Sequence, residues 1–410
     1  MSTLKEIQLP TQLKERLAQG HPWVYRNHIP AALRMPSGTW VKARCGGWSG
    51  YGLWDDSGPI GIRIYAEQRA PDEAWLRERV RQAWDLRAPL RASDTTAYRW
   101  IFGEGDGLPG ITVDLYGAYA VVATYMDGAD ELIDWLVPAL RACAPLRGIV
   151  LRYRRADTGE ESVGRSDEDE PAEEPRAKAA APRRTSILWG AGPPHDLVIR
   201  EHGLSFEADL RGGQKTGLFL DHRENRRYVE GISQGCEVLN CFAYTGAFSL
   251  YALRGGASHV TSVDIGKGLD ASAASNLSLS GLDAARHTFV TADCFETLDA
   301  YVKQRRSFDM IILDPPSFAK SKQSRFAAIR AYTRLNALAL RCIRSGGTLV
   351  SASCTSQVGP EPFKEMLAAA ALQAKRRLQI THEAGQPQDH PVPPQFPEGR
   401  YLKFVVARVL

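Results

Sequence analysis

The chain has 410 residues, enough for two or three domains, and its 44% hydrophobic and 24% charged content excludes wholesale disorder and fibrous classes. No run approaches the roughly 18 apolar residues of a membrane span, and MSTLKEIQLPTQLKERLAQG has no apolar signal segment, so no membrane association is expected and the cytoplasm is the expected compartment. The formal net charge is +4, but Ala156 to Arg184 holds nine acids against five bases, net −4, which leaves +8 on a clearly basic remainder.

Residues 1–72 read as short strands between turns (GTWVKARC, GYGLWDD, PIGIRIYAE) and predict a small β-barrel. Through Trp54 this region has seven Lys or Arg against two Glu, interleaved with Trp23, Tyr25, Trp40, Trp48, Tyr51 and Trp54. The mixture suits RNA, because cations follow a phosphate backbone and aromatic faces stack on bases; the competing reading makes the tryptophans the barrel's core. Ala74 to about Leu90 has apolar residues at helical spacing and predicts a linker helix ending at Pro89. Residues 73–205 read as a central α+β domain, with strands in AVVATYMD, RGIVLRYRR and HDLVIREHGLSFEADL. The acidic, then Ala/Pro/Arg-rich stretch 156–184 interrupts it, has almost no apolar residue to offset ordering entropy, and predicts a disordered insertion.

Over 206–410 short apolar runs alternate with helical stretches: EVLNCF, a helix through YALRGG, HVTSVDI, a helix from Gly268 to Ser280, HTFVTAD, FDMIILD, a helix near Arg325 to Arg344, and GTLVSASC. The alternation predicts an α/β domain, Rossmann-like, with a parallel sheet covered on both faces.

The loop FAYTGAFS follows the first of these strands, and Asp264 ends the second, 18 residues after Gly246. In a doubly wound sheet that loop faces the ligand and that acid accepts hydrogen bonds from ribose hydroxyls, so the expected ligand contains a nucleoside. GxGxxG is absent, which disfavours a dinucleotide. Asp293 follows the third strand, where an Asp also reads as a helix N-cap. Asp314 ends the fourth, before Pro315 and Pro316, whose stiff turn can wall a flat base. Phe318 reads equally as a stacking or a packing ring, and Lys320 and Lys322 as phosphate contacts or solvated loop. Seven scattered cysteines without CxxC or Cys/His spacing predict neither a disulfide framework nor a zinc site, and no metal is expected.

GGQKTGLFLDHRENR at 212–226, VLNCFAYTGAFS at 238–249, LDPPSF at 313–318, SASCTS at 351–356 and QDHPVPPQFPEGRYLKF at 388–404 resemble the bacterial large-subunit ribosomal RNA methyltransferase I family. HPWVYRNHI at 21–29 resembles that family's PUA RNA-binding domain, and EGDGLPGITVDLYG at 104–117 its central region; the likeness lapses in the acidic insertion. The resemblance implies S-adenosylmethionine (SAM) as cofactor, 23S ribosomal RNA as partner and 5-methylcytosine as product. It implies that Phe219 and Asp221 cover the methionine end of SAM, that Asn240, Phe242, Thr245 and Gly246 form the first SAM loop, and that Asp264 and Asp293 hold ribose and adenine. It further implies that Asp314 and Pro315 sit beside the reacting methyl, and that Cys354 is the nucleophile.

The chemistry agrees with the last assignment. C5 of cytosine is too weak a nucleophile unaided; a thiolate added to C6 gives an enamine whose C5 can take a methyl group, after which C5 loses its proton and the thiolate is eliminated. Asp314 or a water can take that proton. The alternatives are methylation of a base nitrogen such as guanine N7, which needs no thiol, and a catalytically silent SAM-bound assembly factor. Whether the chain forms a homodimer is left open. The target base must leave its stack, so a flipped base or single strand is expected.

Overall fold

A computed structural model describes residues 4–152, 185–210, 218–318 and 325–410. The expected disordered insertion 156–184, the segment 212–217 and both Lys320 and Lys322 lie outside the described residues. The chain divides into two compact units, one of residues 1–85, 99–197 and 208–218, the other of residues 86–98, 198–207 and 219–410.

The first unit begins with β1 (Lys5–Gln8), α1 (Lys14–Ala18), β2 (Trp23–Tyr25), β3 (Trp40–Cys45), β4 (Trp48–Trp54) and β5 (Ile60–Ala66). They form one five-stranded sheet in the order β1-β3-β4-β5-β2, so the expected barrel is present as a sheet whose end strands β1 and β2 do not pair. Its core gathers Ile7, Leu17, Val24, Val41, Ala43, Trp54 and Ile62. The linker helix is observed as α2 (Glu73–Leu86) and a separate turn α3 (Ala88–Arg91). Pro89 does not end a helix; it sits in the first turn of α3, where a missing N–H costs no helical bond.

The central sheet holds β6 (Ala97–Phe102), β7 (Ile111–Tyr116), β8 (Tyr119–Thr124), β9 (Gly148–Arg152) and β10 (Thr185–Gly190) in the order β10-β9-β8-β7-β6, with α4 (Asp130–Cys143) between β8 and β9. The strands β11 (Val198–Glu201) and β12 (Leu204–Glu207) make a hairpin of their own in the second unit, joined to a later helix by Asn276 Oδ1 accepting from Glu207 N at 2.8 Å.

The rest of the second unit comprises α5 (Arg223–Gly231), β13 (Glu237–Cys241), α6 (Ala247–Arg254), β14 (His259–Asp264), α7 (Leu269–Leu279), β15 (His287–Thr291), α8 (Cys294–Lys303), β16 (Phe308–Leu313), α9 (Arg325–Arg341), β17 (Ile343–Ser353), α10 (Pro360–Ala374), β18 (Leu378–Ala384) and β19 (Lys403–Val409). The sheet order is β15-β14-β13-β16-β17-β19-β18. Strands β13 to β17 run parallel, but β19 is antiparallel to both β17 and β18, so the expected parallel sheet has an antiparallel edge. The central strands are continuous apolar runs because helices cover both faces; Leu239, Ile311, Leu313, Leu335, Leu349, Phe363 and Val405 share one core. The chain moves outward from β13 to β15 and returns to β16 on the other side of β13. Ligands of such sheets bind at that reversal, outside the carboxyl ends of the strands.

Candidate active site

The loop after β13 is held in a conformation few residues choose. Phe242, Tyr244 and Gly246 have φ of +59, +48 and +83, the left-handed region that side chains with a Cβ rarely enter. Gly246 meets that demand without strain at the start of α6. Phe242 and Tyr244 are held there from outside: Phe242 N donates to Cys294 Sγ at 3.2 Å and Tyr244 N to Asp264 Oδ2 at 2.9 Å. Asn276 Nδ2 donates to Thr245 O at 3.1 Å. Strain retained by so many outside contacts is typical of a working loop.

Asp264, at the end of β14, also accepts from Gly266 N at 2.9 Å through Oδ1. Each oxygen therefore has one backbone donor and a second lone pair to offer, enough for a pair of vicinal hydroxyls. Beside it, Ile265 is 69% exposed and presents apolar surface. Asp293 caps α8, with Oδ1 accepting from Phe295 N at 2.8 Å and Glu296 N at 3.0 Å. The N-cap geometry is thus present; both bonds fall on one oxygen.

Asn240 is buried, and its Nδ2 donates to Ser249 Oγ at 2.9 Å. Ser249 continues to Ser262 and Ser262 to His287, a polar chain beneath the loop that ties α6, β14 and β15 together. The Asn240 side chain supports the loop from within. Phe219 sets its ring edge-on to Tyr244, centroids 5.3 Å apart, and Asp221 accepts from Tyr401 Oη at 2.7 Å. The segment carrying both is anchored by Arg226, which donates twice to the buried Glu201 at 2.8 and 2.7 Å and once to Phe219 O at 3.0 Å. Arg223 likewise grips Asp389 at 3.0 and 2.6 Å.

Asp314 follows β16 on the same edge. His222 Nε2, on a single turn at Leu220–His222, lies 3.2 Å from Asp314 Oδ1, though not aligned as a hydrogen bond. Asn225 Nδ2 contacts both Gly385 O and His222 Nδ1. The carbonyl only accepts, so that atom is the amide nitrogen; it donates to Nδ1 and leaves the imidazole proton on Nε2, facing the carboxylate. His222 sits inside the quoted GGQKTGLFLDHRENR motif, yet no local pattern signals its role.

Cys354 follows β17 on the same edge and is half-buried, whereas Cys241, Cys294 and Cys342 are core. Burial pushes the Cys342 thiol up to about 11; Cys241 is raised by its neighbour Cys294 and by burial. None of the seven cysteines, all among the described residues, is in a disulfide. Tyr332 on α9 lies close enough to Cys354 and Asp314 for both charges to act on it, and burial first, then those charges, push its phenol up to about 12. Its hydroxyl accepts from Ser353 Oγ at 3.2 Å. Phe318 packs on Tyr332 with centroids 4.7 Å apart, so a packing contact is present for that ring. Sequence reasoning also passed over Lys403; a lysine opening the strand KFVVARV, where Arg408 is the only other polar residue, was the available signal.

In the first unit Trp54 is core, under the Arg26 guanidinium at 4.6 Å. Trp40 stacks on Trp135 at 6.3 Å, and Trp23 Nε1 donates to Glu104 at 2.8 Å, so these rings serve packing. A cleft of about 530 Å³ is lined by Arg26, Asn27, Arg34 and Asp56, among others. Among the described residues no group of three or more His, Cys, Asp or Glu could hold a metal, and no helix is long and apolar enough to cross a membrane.

Comparison with known proteins places these features in context. A family model for S-adenosylmethionine-dependent methyltransferases matches residues 181–392, and one for PUA-like domains matches residues 7–67. The ribosomal RNA large subunit methyltransferase I of Shewanella amazonensis is 35% identical over 98% of this chain and 99% of its own. That of Photobacterium profundum is 36% identical over 95% of this chain and 96% of its own. Among solved structures, a methyltransferase in complex with S-adenosylhomocysteine (SAH) superposes with a TM-score of 0.84 at 24% identity, covering 98% of this chain and all of that one, which shows the shared fold. A SAM-dependent methyltransferase from Streptococcus mutans gives 0.83 at 23% identity, with coverage of 98% and 100%.

Proposed function

This chain belongs to the ribosomal RNA large subunit methyltransferase I family and is a SAM-dependent methyltransferase of large-subunit ribosomal RNA; from that premise we propose that it methylates C5 of a cytosine in 23S rRNA through a bond from Cys354 to C6. The observation that carries the reading is that a carboxylate and a thiol leave the same edge of two paired parallel strands: Leu313 of β16 pairs with Ser351 of β17, and Asp314 and Cys354 follow those strands. Methylation of a ring nitrogen asks for no thiol there.

The residues fit SAM. Asp264, with one lone pair per oxygen still to offer, suits the ribose diol, the exposed Ile265 suits an adenine face, and Asp293 suits its amino group. Phe219, Asp221, Phe242, Thr245 and Gly246 enclose the methionine end, Asn240 supports that loop from below, and Asp314 with Pro315 borders the methyl group. Bound SAM supplies an electrophilic methyl group. Cys354 adds to C6 and makes C5 nucleophilic; Asp314, 3.2 Å from His222 Nε2, orients the cytosine amino group and receives the C5 proton. Loss of that proton re-forms the C5–C6 bond order as the Cys354 thiolate leaves. Tyr332 stays protonated throughout, so it adds no second negative charge beside the thiolate. The basic N-terminal domain holds the RNA backbone, with Arg26 and Arg34 in its cleft.

The test is transfer of tritium from labelled SAM to rRNA of a strain lacking this protein, followed by digestion to nucleosides. Label in 5-methylcytidine, absent with Cys354→Ser, is expected. Label in a guanosine or adenosine derivative that survives Cys354→Ser overturns the thiolate route, and no transfer to any RNA form overturns the enzyme reading.

A further inference from the structure

Lys403 opens β19, a strand buried at every residue but Arg408, and is itself 5% exposed. An ammonium in such a place needs partners or gives up its proton. Lys403 pairs in register with Ser353, the residue before Cys354. Its Nζ donates to the carbonyl of Thr355, the residue after Cys354, and to the carbonyl of Tyr401 at 2.8 Å. The amine is thus held against the backbone on both sides of the thiol. A neutral amine carries two hydrogens and one lone pair; with both hydrogens on those two carbonyls, the lone pair is left for a third partner.

Neither the carboxyl of Asp314, after β16, nor the phenol of Tyr332, on α9, can supply positive charge. Burial brings the Lys403 ammonium down to about 8, and Cys354 is close enough for its charge to pull that value back up. Burial thus brings the amine towards the range in which thiols ordinarily titrate, about 8.5.

We propose that Lys403 is the positioning residue that generates the Cys354 thiolate: the lone pair on Nζ takes the Sγ proton, the S–H bond breaks as an N–H bond forms, and the ammonium stays on the carbonyls of Thr355 and Tyr401. No net charge is created, because thiol plus amine becomes thiolate plus ammonium. The sulfur carries its negative charge into the attack on C6 and regains it on elimination, beside the same cation. This inference rests on Cys354 being the nucleophile.

The experiment is alkylation of the full-length protein by iodoacetamide across pH 5.5–10, with the Cys354 peptide followed by mass spectrometry, so that the other six thiols do not contribute. The native protein is expected to alkylate with a midpoint below the ordinary value of about 8.5. In Lys403→Met the midpoint should rise by about one unit or more, and the rate at pH 7 should fall about tenfold. SAM binding by calorimetry should be unchanged, and methyl transfer should fall by a similar factor at pH 7 and recover as pH rises, which a merely structural role would not produce. A native midpoint at 8.5 or above, or a Lys403→Met rate at pH 7 within twofold of native, overturns the inference; if that variant does not fold, the native profile alone decides. Methyl found at C5 together with an ordinary Cys354 midpoint defeats this inference and leaves the cytosine reading standing. Methyl found on a base nitrogen together with a low midpoint does the reverse.

Discussion

Replacing Asp264 tests the SAM site where its geometry is most specific. The carboxylate accepts one backbone N–H on each oxygen, from Tyr244 and Gly266. It therefore aligns the strained loop while offering its remaining lone pairs to a ligand. Hydrogen bonds from ribose hydroxyls to a charged acceptor contribute about 1.5–3 kcal/mol each. Some of that is recovered by water entering the space, so Asp264→Ala should weaken SAM by about 3 kcal/mol, about a hundredfold in Kd. Asp264→Asn is informative because it keeps the shape. Its amide has a single oxygen, so its NH2 must face either Tyr244 N–H or Gly266 N–H, donor against donor, and the charge is lost as well. The asparagine variant should therefore be nearly as weak as the alanine one. Calorimetric titration with SAM and with SAH measures both, with thermal unfolding as a control for the fold. Binding within threefold of native in either variant would refute the assignment of Asp264 to the ribose.

Other expectations follow from the same geometry. Asp314→Asn removes the proposed proton acceptor while leaving the DPP turn in place, so methyl transfer should fall about a hundredfold or more with SAM affinity nearly unchanged, read by single-turnover kinetics. Arg226→Met leaves Glu201 buried without its double hydrogen bond and should destabilise the protein by about 3–5 kcal/mol in urea unfolding. The Asp389 carboxyl is raised by burial but held well below the usual range, against that, by His390 and Arg223. A depressed acid contributes stability that is full above its unfolded value and is lost as pH falls, so stability should drop below about pH 4, and Asp389→Asn should flatten that slope. RNA affinity should fall steeply between 50 and 200 mM salt in filter binding, and a flat response would contradict backbone contact by the basic domain.

The alternation of apolar runs and helical stretches announced the doubly wound sheet because parallel strands buried on both faces read as unbroken apolar segments, as FDMIIL does in β16. The antiparallel edge was hidden. β18 is a half-exposed edge strand with a polar pattern, and β19 follows the proline-rich stretch PVPPQFPEG, which carries no strand signal. The hairpin β11–β12 reads locally as two strands, but its attachment to α7 through Asn276 is a tertiary fact. The acids at the strand ends were legible because position after a strand is a local property. His222 and Lys403 were not, because their meaning comes from Asp314 and Cys354, which only the sheet brings near. Trp40 shows the same limit: no pattern in the sequence tells a ring that will stack on Trp135 from one that will stack on a base.

The central claim is a covalent bond between Cys354 and C6 of cytosine. It is tested most directly with an rRNA fragment transcribed with 5-fluorocytidine, in which C5 carries fluorine and cannot shed a proton after methyl transfer. The account predicts that, with SAM present, protein and RNA become linked in a complex that survives denaturation, with the nucleotide on the Cys354 peptide by mass spectrometry and no complex formed by Cys354→Ser. Methyl transfer to unmodified RNA without any such complex from the fluorinated one, or a link to a different cysteine, would contradict it.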